Sequence, residues 1–541
     1  MPGGLFNLVS EGSLNQILTG NPSKTFFKVT YAKYTNFGLQ KFRLDFDGMR
    51  DLRLTEPTKL TFKVKRYADL LMDTYLVVTL PNIWSPMWSP SAQTGNQWSG
   101  YEFRWIEHLG SMMISELEIL CGSLRLQRYT GQYLHSMVER DFDVTKKEMF
   151  YRMTGHTDEL NDPANTQSRV NGNPSLANVY PNAYFTTNIL GAEPSIRGRT
   201  LYIPLNLWFN LDSRCAFPLV ALQYNELTIN VTLRPIQELF RVRDVFNAAG
   251  GYPYVRPDFN QNQFQLYRFL QTPPAIDLSA RNYRLQPTSW NADVHLMATY
   301  AFLSQEERET FASQDQVYLV KDVFEYDFLN VVGTSKLKLE SSTGLVSNWM
   351  FYLQRNDAYL RNEWTNYTNW LYNNRLSTNL TFNANSRRFI TGNFSQINQK
   401  DILLTLGILL NGDYRENTLN GGIFQYIEKY TRTPGSAKDG LYCYNFCLNT
   451  DTLEYQPSGA INISKFHTVE LEVQTFLPPL DTTGTRVNIS CNTVNGSRVP
   501  VSITEKPAWA IYTYSFNAHI MEERYNVLSI IGGNCGLMYS R

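Results

Sequence analysis

Few residues in the chain have the types and spacing that chemistry needs. His519 and Glu523 stand four apart, which on a helix would set an imidazole and a carboxylate side by side as metal ligands. The residues around them, AHIMEERYNVLSII, read instead as strand or turn, where that spacing separates the groups, so the pair is read as structural. Cys443 and Cys447 are the close pair among six cysteines. In a strand they share a face roughly 13 Å apart, beyond disulfide or shared-metal reach. Glu306 and Glu307 fit a solvated helix face better than a catalytic dyad. No nucleophile elbow, P-loop, dinucleotide-binding glycine fingerprint or HExxH is present. The expectation is a non-enzyme, with no catalytic residue, no cofactor-binding residue, no cofactor and no metal ligand assigned. Asn-x-Ser/Thr sequons occur at Asn230, Asn366, Asn379, Asn393, Asn462, Asn488 and Asn495. They are read as plain Asn/Thr-rich β sequence. Asn230, between inward-pointing Ile229 and Val231, is expected to face outward.

Composition narrows the class. At 541 residues the chain is too long for one ordinary core, and two domains are the default. Lys+Arg and Asp+Glu both total 49, which argues against direct nucleic-acid binding by phosphate neutralisation. The same neutrality leaves little repulsion to oppose self-association. With 33 Tyr, 31 Phe and 10 Trp, rings are plentiful for wide β cores and for subunit interfaces. The scattered thiols are read as free and buried, as in a reducing compartment. The first basic residue is Lys24 and no apolar segment of signal type follows the start. The longest apolar run, Ile402–Leu410, is half a membrane span. A soluble protein made in a cytoplasm is expected.

The elements that carry these residues come in two sets. Val469, Leu471 and Val473 alternate with Glu470, Glu472 and Gln474, the period of a strand with one face on a core. The enclosing stretch Leu441–Val473 is echoed by Leu201–Val231: Leu201-Tyr202 answers Leu441-Tyr442, Asn210 and Asp212 answer Asn449 and Asp451, and Pro218 answers Pro457. Upstream of each lies a second echo. Leu117–Met137 and Leu406–Ile427 both run strand, glycine, mixed residues, glycine, helix-like segment, with Gly122 and Gly131 matching Gly412 and Gly421. Two echoes in the same order point to duplication of a β-rich unit. Further alternation marks strands at Phe42, Leu44 and Phe46 and at Leu60, Phe62 and Val64. Gln132–Phe142 is predicted as a short helix. Ser304 with Glu307 makes a capping box opening a second one, and Gln316–Phe328 is read as the connector into the second unit. Thr154–Arg199, Asn247–Pro287 and Asn356–Asn398 read as loop-rich insertions, the first and third expected to form an outward crown. The expected fold is all-β, two tandem eight-stranded jelly-roll sandwiches (a double jelly roll) with long loop insertions and a few short helices. Residues 1–24 would be an N-terminal arm, 25–325 the first jelly roll with its insertions and 326–541 the second.

Six blocks in order carry a family resemblance: LTGNPSKTFFKVTYAKYTNF (Leu18–Phe37), WIEHLGSMMISELEI (Trp105–Ile119), PLNLWFNLDSRCAFPLVALQYNEL (Pro204–Leu227), ATYAFLSQEERETFA (Ala298–Ala312), LNTDTLEYQPSGAINIS (Leu448–Ser464) and YNVLSIIGGNCGL (Tyr525–Leu537). With them the chain resembles the major capsid proteins of nucleocytoplasmic large DNA viruses over nearly its full length. The resemblance implies a structural virion protein forming homotrimeric, pseudo-hexameric capsomers that tile an icosahedral shell. It also implies contacts with neighbouring capsomers, minor capsid and penton proteins, an indirect relation to an inner viral membrane, and assembly in the host cytoplasm. The alternatives are a minor capsid or scaffold protein on the same fold and, from another class, a carbohydrate-binding jelly-roll protein.

Overall fold

The computed structural model describes the chain apart from residues 1, 11, 49–50, 89–98, 167–178, 186, 188–190, 247–251, 275–277, 279, 373–398, 455, 479–487, 495–496, 505–513 and 540–541. Eight strands make the first sandwich: β1 (Phe37–Leu44), β2 (Thr58–Lys63), β3 (Leu70–Thr79), β4 (Ile114–Cys121), β5 (Leu124–Tyr129), β6 (Thr200–Pro204), β7 (Leu227–Leu233) and β8 (His295–Leu303). Eight more make the second: β9 (Gln316–Val331), β10 (Thr334–Lys338), β11 (Leu345–Arg355), β12 (Leu403–Leu410), β13 (Asp413–Asn420), β14 (Leu441–Asn445), β15 (Val469–Thr475) and β16 (Phe516–Ile531). All their pairings are antiparallel.

In the first sandwich the sheets run β1-β8-β3-β6 and β2-β7-β4-β5; in the second, β9-β16-β11-β14 and β10-β15-β12-β13. Every strand of the first has its counterpart eight places later. This shared order is the double jelly roll, and it bears out the duplication. The echoed segments fall on equivalent strands, β6 and β7 against β14 and β15. Gly122 and Gly412 sit in the equivalent β4–β5 and β12–β13 turns, both at positive φ. Short strands Phe217–Pro218, Ile461–Asn462 and Asn534–Leu537 extend the edges.

Alternation places the cores as expected. Leu60 and Phe62 on β2 and Ile229 and Val231 on β7 are buried in the first core, and Val469, Leu471 and Val473 on β15 in the second. The sheet β9-β16-β11-β14 differs, because it is covered on both faces. On β11, Trp349, Phe351 and Leu353 join the second core, while Met350 and Tyr352 join the cluster of the first. Tyr442 and Tyr444 against Leu441 and Cys443 divide β14 in the same way.

Several sequence expectations are corrected. Gln316–Phe328 is not a connector: it is most of β9, the edge strand of the second sandwich, paired with β16 along its length. Helix α4 (Gln305–Ser313) forms, but Ser304 makes no side-chain cap bond. The opening residues carry two short exposed helices, Pro2–Val9 and Gln16–Thr19. The insertions are less superficial than their composition implies. Tyr180 and Ile196 of the first are buried, as are Phe264 and Phe269 of the second and Arg361 and Tyr367 of the third. The expected outward crown rests largely on 167–178 and 373–398, which lie outside the described residues.

Candidate functional site

The helices between strands of the first sandwich include α1 (Leu109–Met113), α2 (Gly131–Asp141) and α3 (Val144–Thr154). Gly131 opens α2 in a close approach of backbones, since a Cβ there would lie 2.0 Å from Ser111 O and 2.4 Å from Ile114 O. Thr130 caps the helix by accepting from the Tyr133 N–H, satisfying one of its orphan donors. Every residue of α2 is buried. Its apolar side packs on the first core through Leu134 and Val138. Its polar side meets the second sandwich.

That polar seam is built on charge. Arg140 Nη2 donates to Glu523 Oε1 on β16 at 2.7 Å, Arg140 Nη1 to Asn348 Oδ1 on β11 at 2.8 Å, and Arg140 Nε to Asp141 Oδ1 at 2.7 Å. Asn348 Nδ2 and the Tyr133 hydroxyl donate to the two Glu523 oxygens at 2.8 and 2.9 Å. Thr450 donates to Asp141 at 2.9 Å. Thr130 gives both its N–H and its hydroxyl to Glu325 on β9, each at 2.8 Å. Burial alone would push Glu523 up, but Arg140 and Lys321 hold it below the usual carboxylate range. A fully buried ion pair with this many partners has its desolvation offset, and losing one partner would be costly.

His519 sits at the rim of the seam on β16. Its Nε2 meets Glu325 Oε2 at 3.0 Å and its Nδ1 pairs with Asp327. Burial works against its charge, yet the two carboxylates raise it to about 9. His519 and Glu523 therefore share a strand, as read, and each serves a separate ion pair. Glu306 and Glu307 lie in the first turn of α4. Cys443 is buried on β14, whereas Cys447 lies beyond that strand's end, also buried. The fold brings Cys121 at the end of β4 beside Cys535 near the C-terminus, with both thiols free. Sequence spacing gave no sign of that proximity. Asn230 lies on the face opposite Ile229 and Val231, as expected, but it is largely covered there and donates to Glu118 Oε2 at 3.3 Å. Asn366 is buried as well, while Asn462 is exposed. Asn379, Asn393 and Asn495 lie outside the described residues.

Behind the seam is a cluster that the sequence reading missed. His108, just before α1, and His135 and Glu139, one turn apart on α2, bring one ligand atom each within 4.8 Å of one another. His156 stacks on His108, ring centroids 3.8 Å apart and planes 15° apart. Tyr151 donates to Glu139 Oε1, and Lys147 Nζ lies 3.2 Å from Oε2. Burial keeps His108 and His135 far below the usual imidazole range and takes His156 down to about 4. The signal was available, because His135 and Glu139 are four apart inside the predicted helix Gln132–Phe142.

The comparisons with known proteins follow the two sandwiches. Residues 25–269 match the family described as "Major capsid protein N-terminus", and residues 307–536 match "Large eukaryotic DNA virus major capsid protein". The chain belongs to the major capsid protein family of large eukaryotic DNA viruses. It is 23% identical to the major capsid protein of Phaeocystis pouchetii virus, with 100% of both chains covered. It is 24% identical to that of Paramecium bursaria Chlorella virus 1, again over 100% of both. Among solved structures, the quasi-atomic capsid of PBCV-1 superposes with a TM-score of 0.59 at 18% identity, covering 96% of this chain and 100% of the other. Its role is that of a structural viral capsid protein on the double jelly-roll fold.

Proposed function

We propose that three copies of this chain close into one capsomer with a pseudo-hexagonal outline, the unit that tiles an icosahedral shell. The observation that carries this is a helix left uncovered. In the first sandwich α2 leaves β5 and is buried against the outer face of β9-β16-β11-β14. The equivalent helix α5 (421–432) leaves β13 in the second sandwich, yet its Tyr426, Ile427 and Tyr430 are 51%, 54% and 91% exposed. The sheet that would receive it, by the same geometry, is β1-β8-β3-β6 of another copy. That sheet shows Phe37 and Leu39 on β1 and Tyr202 on β6 to solvent. Repeating the internal contact between chains makes a heterologous interface that closes after three subunits, six lobes in all. The extended run before β1, with Phe26, Phe27, Val29, Tyr31 and Tyr34 exposed, adds apolar surface for a neighbour.

Such capsomers would meet one another, and minor capsid and penton proteins, in a virion shell assembled in the host cytoplasm, with an inner membrane contacted only indirectly. Equal counts of acidic and basic residues support a shell without direct nucleic-acid binding, and no catalytic activity is proposed. Light scattering on the purified protein tests the reading. The expected mass is three times 62.4 kDa, and Ile427→Asp with Tyr430→Asp should give a folded monomer. A wild-type monomer or dimer at micromolar concentration would point to the minor-capsid or scaffold reading. A variant that remains trimeric would show that α5 is not the contact.

A further inference from the structure

We propose that His108, His135 and Glu139 form a zinc site inside the first sandwich that locks α2 against α1 and α3. The side chains converge from two elements, and their ligand atoms already lie within 4.8 Å of one another. Four-coordinate zinc with bonds of about 2.0–2.1 Å holds its ligands about 3.3 Å apart. Small side-chain adjustments therefore complete the shell, with water or His156 as a fourth ligand.

Unsatisfied lone pairs point the same way. His135 is fully buried, and among the described residues neither its Nδ1 nor its Nε2 has a hydrogen-bond partner; His108 Nδ1 has none among them either. Leaving a buried polar atom unpaired costs stability, and three such nitrogens on two touching rings, 4.1 Å between centroids, compound that cost. A divalent cation would take one lone pair from each ring, since a neutral imidazole offers one acceptor nitrogen and keeps its proton on the other. His135 Nε2 is 3.9 Å from Glu139 Oε1, the distance a shared ion would shorten.

The donor set selects the metal. Two imidazoles and one carboxylate suit zinc and its neighbours in the transition series, whereas calcium and magnesium prefer all-oxygen sites. Lys147 and Lys438 also act on this cluster, so the ion's bonds to its ligands must outweigh their repulsion. Tyr151 and Lys147 hold Glu139 in place, as outer-shell partners of a metal ligand do. A cleft of about 400 Å³ has His156, Asp158 and Asn161 on its wall, and His156 stacks on His108 behind it. Because α2 also carries Arg140 and Asp141, an ion bound one turn away would stiffen the seam between the sandwiches.

Metal analysis of the full-length protein, purified from zinc-supplemented medium and gel-filtered, tests the site. About one zinc per chain is expected, and cobalt exchanged for it should show the visible absorption of a four-coordinate site. His135→Gln should weaken binding by more than the roughly 10–100-fold that loss of an outer-shell partner costs, whereas His519→Gln should leave it unchanged. Should His135→Gln fail to fold, wild type decides alone: its melting midpoint should rise with added zinc and fall with a chelator. Protein that carries no zinc, with a midpoint indifferent to both, would overturn the proposal. So would zinc held equally well by His135→Gln.

Discussion

Helices α2 and α5 leave the same strand of the same topology, yet all of α2 is buried while α5 shows Tyr426, Ile427 and Tyr430 to solvent. Their sequences anticipate the difference. GQYLHSMVERD carries Arg140 and Asp141, charges that are buried only because Glu523, Asn348 and Thr450 of the other sandwich answer them. GGIFQYIEKYTR instead sets Tyr430 at the position of Arg140 and Thr431 at that of Asp141, with Tyr426 and Ile427 where α2 has Ser136 and Met137. A contact within one chain is formed once, at folding, and can rest on buried ion pairs that fix its geometry. A contact between chains must form from two hydrated surfaces, and apolar area lowers the desolvation cost of doing so. The internal seam is thus polar and specific, and its external counterpart is apolar.

The largest effect should come from breaking the polar seam. Arg140→Ala leaves Asp141 and Glu523 buried without their shared cation, and removing one member of such a pair costs about 3–5 kcal/mol. Urea unfolding of the monomeric Ile427→Asp, Tyr430→Asp background measures it apart from assembly. A loss under about 1 kcal/mol would show that water replaces the guanidinium, and that the seam is less dry than its geometry implies.

Much of this arrangement was legible in the sequence. Repetition located the two sandwiches, because the turn glycines and the strand alternation recur wherever the same backbone is built twice. The edge strand β9 was not legible as such. Half of it faces the first sandwich, so its apolar residues, among them Tyr318, Val320 and Val323, obey a contact far away in the chain. The histidine cluster escaped for a related reason: His135 and Glu139 are spaced for ligation, but only the fold supplies His108. His519 and Glu523 have the same spacing, but on a strand. The buried ends of the three insertions escaped because Asn and Pro content reports backbone shape, not what packs beneath it.

A smaller effect follows from pH at the seam's rim. His519 is raised in the folded protein to about 9, above the ordinary imidazole value of about 6.5. Its ion pairs with Glu325 and Asp327 therefore stabilise fully below about 6.5, and that contribution is lost as pH rises through about 9. Asp327 is 72% exposed, so screening limits the effect to about 1 kcal/mol. His519→Gln should be less stable than wild type near neutrality, and the gap should close on going to about pH 10. A gap that is constant across this range would mean that the ring acts by packing on Tyr352 and not by charge.

The smallest effect separates the two equivalent turns. Gly122 and Gly412 occupy the left-handed region, at φ 61° and 88°, where an L-residue costs about 1–2 kcal/mol. Alanine at either position should carry that backbone cost. The surroundings differ, however. A Cβ at Gly412 meets nothing within 4 Å among the described residues, whereas one at Gly122 would lie 2.9 Å from Asn225 Oδ1. Asn225 precedes β7, and its backbone carbonyl accepts from Arg66 at 2.9 Å, which anchors its backbone and leaves the side-chain torsions to relieve the contact. Gly122→Ala should therefore destabilise more than Gly412→Ala, by up to about 1 kcal/mol, the cost of forcing a side chain off its preferred rotamer. Paired urea melts give the difference directly, and adding Asn225→Ala to Gly122→Ala should remove it. Equal losses in the two single variants would mean that Asn225 yields freely, leaving backbone strain, which the two turns share, as the whole effect.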